Sequence, residues 1–258
     1  MSEPRLHVEA EGTGPTIVLA HGFAGSARNF GPQARALRDR YRVVRFDARG
    51  HARSAAPDDP AAYTPATFVD DLGRVLDGRA VVGGLSMGAG TALRFALAHP
   101  QCVQALVLAG FPPGPDVAAS FTARAREFAD AIERDGVEAA GARFAWGPET
   151  SLDPAAARLV RQGFLEHPPH GLAHTLRGVI AAQPSVGELA PRLARVTAPA
   201  LVVVGGTDRL SLGPSRALAD ALPDARLVVV EGAGHVVNLA DADAFNAAVR
   251  EFLAATVH

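Results

Sequence analysis

The chain has 258 residues, of which 48% are hydrophobic and 20% charged, and its formal net charge is −2. These values are typical of one soluble globular domain with a large core, and they give no general attraction to nucleic acid or membranes. The sequence contains no lysine and one cysteine, which excludes lysine Schiff-base and phosphate-loop chemistry and any internal disulfide. Its polar start and the lack of a long apolar run predict a cytoplasmic protein.

Short buried runs and amphipathic segments alternate in both end regions of the chain. This alternation predicts an α/β fold in which a doubly wound, mostly parallel sheet is covered by helices on both faces. The predicted strands are 6–11, 16–20, 41–46, 80–82, 103–109, 199–205 and 225–230. The predicted helices between them are 30–40, 67–76, 214–222 and 241–253. A further helix is predicted to begin at 87 and to be stopped by His99-Pro100.

From residue 112 to about residue 195 the strand signals stop. Proline, glycine and histidine separate the predicted helices here, which are 117–135, 137–144, 154–166, 172–183 and 186–195. We therefore expect a core formed by residues 1–111 and 196–258, with residues 112–195 inserted as a helical lid. The insertion lies at the end of the sheet where such folds bind ligands.

A G-x-S-x-G motif at residues 84–88 links the strand at 80–82 to the following helix. A serine on a sharp turn between strand and helix is held in a strained conformation that exposes its hydroxyl. Gly84 and Gly88 are needed because a side chain at either position would collide with neighbouring elements. The helix that begins after Ser86 presents free backbone N–H groups to negative charge. The motif therefore predicts Ser86 as a nucleophile.

A serine hydroxyl needs a base to accept its proton, and that base needs a partner that fixes its tautomer. His235 and Asp208 each follow a predicted strand end, and the chain order Ser86, Asp208, His235 is the order expected for this kind of sheet. The oxyanion formed on attack needs two donors. Met87 directly follows the predicted nucleophile, and Phe23 lies in the loop after the predicted strand at 16–20, so their backbone N–H groups are predicted for this role.

These motifs resemble those of the α/β-hydrolase superfamily over nearly the whole chain. They are HGF at 21–23, DARGHARS at 47–54, GLSMG at 84–88, GGTD at 205–208 and GH at 234–235. The chain departs from the family pattern at Ala52, where glycine is usual, and its N-terminal hairpin is short. The family's other position for the acid, after 103–109, reads Gly110-Phe111-Pro112 and offers no carboxylate, which favours Asp208.

The resemblance implies a serine hydrolase that acts on a small carboxylic ester or a related activated acyl compound, without a cofactor or metal. An enol-lactonase or a carbon–carbon bond hydrolase would use the same triad, and acyl transfer or peracid formation is also compatible with it. A non-catalytic ligand receptor on this fold is the alternative from another functional class. Steady turnover of an ester would distinguish an enzyme from such a receptor. Serine at position 86 disfavours hydrolases with an aspartate nucleophile. The oligomeric state is left open.

Several other residues are candidates for lesser roles. Phe23 and Trp146 are the preferred substrate contacts among aromatic residues that could instead pack the lid onto the sheet. A metal site at His167, His170 and His174 is disfavoured, since two prolines interrupt the segment and no second ligand cluster accompanies it. We expect Cys102 to be a small buried hydrophobic residue. His21 and a polar network at positions 47, 49 and 54 are predicted to brace loops.

Overall fold

A seven-stranded sheet forms the centre of the molecule. The computed structural model describes residues 3–113, 119–147 and 154–257. The strand order is β1-β3-β2-β4-β5-β6-β7, and every neighbouring pair is parallel except β1 with β3. The strands are β1 His7–Glu11, β2 Thr16–Ala20, β3 Arg42–Asp47, β4 Ala80–Leu85, β5 Val103–Ala109, β6 Ala200–Gly205 and β7 Ala225–Val230.

The central strands are apolar on both faces because helices cover both sides of the sheet. Val82 and Leu106 belong to the hydrophobic cluster on one face, and Val81 and Val107 belong to the cluster on the other face. The helices that complete these clusters are α1 Gly31–Leu37, α2 Pro65–Val75, α3 Met87–Ala98, α8 Leu212–Ala221, the short α9 Val237–Ala240 and α10 Ala242–Thr256. Within the described ranges, no helix combines the length and apolar character needed to cross a membrane.

Among the described residues, four further helices lie between β5 and β6 along the chain. They are α4 Ala119–Phe144, α5 Pro154–Phe164, α6 Pro169–Thr175, which continues as a π-helical turn at Leu176–Ile180, and α7 Val186–Leu193. We refer to residues 119–147 and 154–180 as the cap, and to α4, α5, α6 and the π-helical turn within it as the cap helices. Phe128, Ile132 and Leu172 help to form their own hydrophobic cluster, whereas Leu189 and Leu193 of α7 pack into the core beside the sheet.

The predicted fold class is confirmed, and the predicted bounds of β2, β5 and β7 agree with the structure. The predicted end of β4 at residue 82 is wrong, because the strand continues to Leu85. Gly83 allows this continuation, since a Cβ there would lie 2.6 Å from the carbonyl oxygen of Val107. The segment predicted as one helix at 172–183 is divided between α6 and the π-helical turn.

Smaller differences concern the ends of elements. The helix predicted at 30–40 is preceded by a 3-10 turn at Ala27–Phe30 and ends at Leu37. Cys102 is half-buried at the end of another 3-10 turn, directly before β5, rather than inside the strand. The predicted break between the first two lid helices lies within α4, where Gly136 has φ +84°. The predicted helix start at residue 117 lies outside the described residues.

Candidate active site

The turn at residues 84–88 joins β4 to α3 and carries Ser86 at its tip. Ser86 has φ +53° and ψ −112°, a conformation that is disfavoured for a residue with a Cβ and that is typical of functional sites. The flanking glycines explain how the chain fits: a Cβ on Gly84 would lie 2.5 Å, and one on Gly88 2.0 Å, from the carbonyl oxygen of Ala20. The close approach of β2 to α3 therefore requires both glycines.

Asp208 and His235 meet at the carboxyl ends of β6 and β7. The Nδ1 atom of His235 lies 2.7 Å from Oδ2 of Asp208 and 3.2 Å from Oγ of Ser211. The side chain of Asp208 is 5% exposed and that of His235 is 45% exposed. The two loops are joined through Thr207, whose N–H and hydroxyl both donate to the carbonyl oxygen of Ala233, at 3.0 and 2.7 Å.

The electrostatics of this pair favour an ionised carboxylate. Burial opposes ionisation of Asp208, but the hydrogen bonds from His235 and Ser211 outweigh it, so the pKa of Asp208 lies below its usual value. A carboxylate at Nδ1 places the proton of the neutral imidazole on Nδ1 and leaves Nε2 as the basic atom. Within the described part of the chain, Nε2 has no hydrogen-bond partner.

Gly110 brings His235 next to the serine turn. Gly110 follows β5, which lies between the strands that carry Ser86 and Asp208. A Cβ on Gly110 would lie 3.5 Å from Cε1 of His235, and the preceding carbonyl of Ala109 accepts the N–H of Ser86 at 2.8 Å. The imidazole thus lies against the backbone that holds the serine. The described residues include no hydrogen bond between Ser86 and His235, and such contacts are often loose without substrate.

The turn at residues 22–25 follows β2 and lies beside Ser86. Its ends are closed by a 3.0 Å hydrogen bond from Gly25 N–H to the carbonyl of Gly22, and a Cβ on Gly22 would lie 3.6 Å from Cβ of Ser86. The N–H groups of Phe23 and Met87 have no acceptor among the described residues. Two unpaired donors beside one serine, one of them at the start of α3, are suited to stabilising a developing negative charge.

A column of three buried imidazoles supports this turn. His21 accepts the N–H of Ala48 at Nε2, 2.9 Å away, so its Nδ1 carries the proton and donates to the carbonyl of Gly22 at 2.7 Å. Burial lowers the pKa of His21 to about 4. The ring centroid of His51 lies 5.1 Å from that of His21 and 5.3 Å from that of His167. Burial, with the charges of these neighbours, lowers the pKa of His51 well below its usual range, and burial also lowers that of His167.

Comparison with known proteins identifies the fold. Residues 17–248 match the family model described as the alpha/beta hydrolase family. The chain belongs to the α/β-hydrolase family. It is 29% identical to the 2-(acetamidomethylene)succinate hydrolase of Mesorhizobium japonicum, over 90% of this chain and 86% of that protein.

Two solved structures extend the likeness of this hydrolase to almost its full length. A thermophilic esterase from Thermogutta terrifontis, in its malate-bound structure, superimposes with a TM-score of 0.86 and 28% identity, covering 99% of this chain and 95% of that one. The enol-lactonase of Burkholderia xenovorans LB400 gives a TM-score of 0.82 with 28% identity, covering 97% of both chains.

Aromatic side chains of the hydrolase extend from the 22–25 turn into the cap helices. The half-buried ring of Phe23 has its centroid 6.2 Å from that of Phe128 and 5.8 Å from that of Phe164. Phe128 stacks on Phe144 at 4.9 Å, and Trp146 meets the edge of Phe164 at 5.5 Å. Phe23 belongs to the turn that lies beside Ser86, and among the described ring contacts Trp146 connects to Phe23 through Phe164.

The three histidines of the lid segment bind backbone atoms of the core. Nε2 of His170 lies 3.1 Å from the carbonyl oxygen of Ala56, and Nε2 of His174 lies 3.1 Å from that of Asp58. His167 lies between the 22–25 turn and the loop that follows β3. His170 and His174 lie one turn apart on α6, and His167 lies just before that helix. All three attach this segment to the core.

The polar residues after β3 form the predicted loop-fixing network. Asp47 accepts the N–H of Ala27 at 2.7 Å and the Nε–H of Arg53 at 2.9 Å. Arg49 forms a two-pronged ion pair with the buried Asp71, at 2.6 and 2.8 Å. These contacts hold the loop against which the imidazole column packs.

Two contacts were missed by sequence reasoning. Ser211 is fully buried beside the Asp208–His235 pair, and its only sequence signal is its position three residues after Asp208 at the start of a helix. The sequence signal at His167 is its spacing with His170 and His174. That spacing suggests a metal site, which the intervening prolines disfavour, and it does not indicate which backbone atoms a distant loop offers.

Proposed function

We propose that this hydrolase cleaves a carboxylic ester or a related activated acyl compound through an acyl-enzyme. Ser86 is the nucleophile, His235 is the general base and then the general acid, and Asp208 orients and balances the imidazole. The observation that carries the proposal is the hydrogen-bonded Asp208–His235 pair, at 2.7 Å, beside a serine with φ +53°. This combination supplies a hydroxyl at the tip of a turn, a basic nitrogen without a partner among the described residues, and a fixed tautomer.

The reaction is proposed to follow the usual two halves of acyl transfer. His235 Nε2 takes the proton of Ser86 as Oγ attacks the acyl carbon, and the new oxyanion accepts hydrogen bonds from the N–H groups of Phe23 and Met87. The leaving alcohol takes the proton back from His235, and the acyl group stays on Ser86. Water, deprotonated by the same nitrogen, then attacks the acyl carbon, the bond to Oγ breaks as Oγ takes the proton back from His235, and the acid is released.

The substrate contacts are proposed from the aromatic cluster. Phe23 lies beside Ser86 and faces the rings of Phe128 and Phe164, which supports an apolar acyl or aryl group next to the scissile bond. Trp146, which contacts Phe164, would contact a larger substrate group. We also propose residues 112–195 as the lid over Ser86 and Phe23, and residues 1–111 and 196–258 as the core.

A second candidate is an enol-lactonase or another hydrolase of small carboxylate compounds that uses the same residues. The likeness to the Burkholderia enol-lactonase, at 28% identity over 97% of the chain, favours this candidate. Both candidates share the acyl-enzyme chemistry and differ in the acyl group.

The decisive experiment combines active-site labelling with steady-state turnover. A fluorophosphonate should modify Ser86 stoichiometrically, as located by peptide mass spectrometry, and should abolish hydrolysis of p-nitrophenyl esters. A panel of acyl esters, aryl esters and enol-lactones would then rank the two candidates by kcat/KM. Labelling at another residue, or hydrolysis that survives full labelling, would remove Ser86 from the proposal.

A further inference from the structure

His167 of the cap connects two core loops through a single imidazole. Its Nδ1 accepts the N–H of Ala52 at 2.8 Å, and its Nε2 lies 2.8 Å from the carbonyl oxygen of Ala24. Because a backbone N–H only donates, Nδ1 is unprotonated and Nε2 carries the proton that is donated to Ala24. His167 is 5% exposed, so both hydrogen bonds are shielded from water.

Both residues bonded by His167 are strained. Ala24 has φ +53° and Ala52 has φ +42°, and Ser86 is the one other non-glycine residue with positive φ in the described ranges. A side chain disfavours this left-handed region. Ala24 is the third residue of the 22–25 turn, a position where positive φ normally requires glycine. One cap side chain thus holds the two alanines that occupy conformations suited to glycine.

The same turn contains the N–H of Phe23, the proposed oxyanion donor. The carbonyl of Gly22 belongs to the same planar peptide unit as that N–H, so fixing the carbonyl fixes the direction of the N–H. His21 donates to that carbonyl at 2.7 Å. His21 therefore holds the start of the turn, and His167 holds its third residue.

We propose that His167 is a positioning residue through which docking of the cap sets the direction of the Phe23 N–H. This inference rests on the proposed function, in which that N–H stabilises the oxyanion. Loss of the His167 imidazole tilts the Phe23 N–H and weakens transition-state binding, which lowers kcat while KM changes little. Other cap contacts are not equivalent, because His170 faces the carbonyl of Ala56 and the carboxylate of Asp58, outside the 22–25 turn, and the Arg28–Glu166 ion pair lies on the exposed side of the adjacent turn.

Two amide variants separate the two hydrogen bonds of the imidazole. His167→Gln can place an N–H₂ donor near the former Nε2 and keep the bond to Ala24, whereas His167→Asn can keep only an acceptor for the N–H of Ala52. Removing an oxyanion donor costs about 10²–10³ in kcat. We expect a tilted donor to cost roughly 10-fold or more in His167→Asn and less than about 3-fold in His167→Gln. His170→Gln is the matched control, with kcat expected to be unchanged.

The readouts are kcat and KM for a p-nitrophenyl ester, the inhibition constant of an aryl trifluoromethyl ketone, and the unfolding temperature. His167→Asn should weaken the ketone, which forms an oxyanion on Ser86, by about the same factor as kcat. An unchanged kcat in His167→Asn would overturn the proposal. So would equal losses in the Asn and Gln variants. Ser86→Ala run in parallel distinguishes this failure from failure of the proposed function, because only the latter leaves Ser86→Ala active.

A double-mutant cycle keeps the proposal testable if His167→Asn folds poorly. Ala24→Gly removes the strain at the third residue of the turn, so the turn no longer depends on His167 to hold that conformation. The loss of kcat caused by His167→Asn should be at least about 3-fold smaller in the Ala24→Gly background. The same loss in both backgrounds would show that His167 does not act through Ala24.

Discussion

The two turns beside the proposed nucleophile carry the same backbone strain but are held in different ways. Ser86 and Ala24 both have φ +53°. Ser86 is held by its own neighbours, because Gly84 and Gly88 let β2 and α3 close around the 84–88 turn. Ala24 is held by the imidazole of His167, 143 residues further along the chain.

This difference separates a rigid element from a conditional one. The strain of the 84–88 turn is compensated by strands and a helix that persist whenever the sheet is folded. The strain of the 22–25 turn is compensated in part by His167, just before α6, and so depends on docking of the cap. The proposed nucleophile is therefore held by the core, whereas the proposed oxyanion donor depends on the cap and on the charge state of buried histidines.

The largest expected effect tests the chemistry of the 84–88 turn. Ser86→Ala should lower kcat for ester hydrolysis by about 10⁶, because the nucleophile is removed while the fold stays intact. Ser120→Ala, an exposed position on α4, is the matched control. Steady-state assays with circular dichroism check both variants. Retention of more than a few per cent of activity, free of contaminating esterase, would contradict the assignment.

The next effect tests the support of the base. Asp208→Asn should lower kcat by roughly 10³–10⁴, since an amide at Nδ1 favours the wrong imidazole tautomer. Asp224→Asn, an exposed residue at the opposite edge of the sheet before β7, should leave kcat unchanged. Equal kcat values for the two variants would place the acid elsewhere.

The third prediction concerns the pH dependence of stability that the buried histidines beside the 22–25 turn should cause. An unfolded histidine binds a proton below pH ~6.5, but burial lowers the pKa of His21 to about 4 and depresses those of His51 and His167. The free energy of unfolding should therefore reach its maximum above pH ~6.5. As pH decreases it should fall, by ~1.4 kcal/mol per pH unit for each such histidine. For His21 alone the loss reaches ~3 kcal/mol by pH 4.

Urea unfolding between pH 5 and pH 7, above the range where most carboxylates titrate, measures this slope. His51→Phe should reduce the slope by about one proton, because it removes one of the three buried imidazoles. The same slope in wild type and variant would mean that His51 binds its proton equally well in the folded state.

The smallest pair of effects tests the local support of the 84–88 turn. Gly88→Ala should destabilise the fold by about 3 kcal/mol, because the new methyl group would meet the carbonyl of Ala20 at 2.0 Å. Gly213→Ala on α8, where a Cβ would meet nothing within 4 Å, should be neutral or stabilising by up to ~1 kcal/mol. Chemical denaturation measures both, and similar losses would contradict the steric argument.

The sequence by itself determined the sheet, the serine turn and the candidate triad. Runs such as those of β2, β5 and β7 are bounded by glycine or proline and are too short and β-branched for helices, so their bounds could be predicted. The positions of Ser86, Asp208 and His235 followed from strand ends, because parallel strands bring their carboxyl ends to one edge.

Only the tertiary structure decided how the site is supported. Ser211, Gly110 and His167 act through contacts with residues far away in the chain, and no local pattern encodes which backbone carbonyl or amide they meet. Ala24 looks unremarkable in sequence, since alanine signals neither a turn nor strain, and Ala52 stands out only by the resemblance to a family that usually has glycine there. Their left-handed conformations exist because the cap and the loop after β3 meet around one imidazole, and that meeting is a property of packing between distant segments.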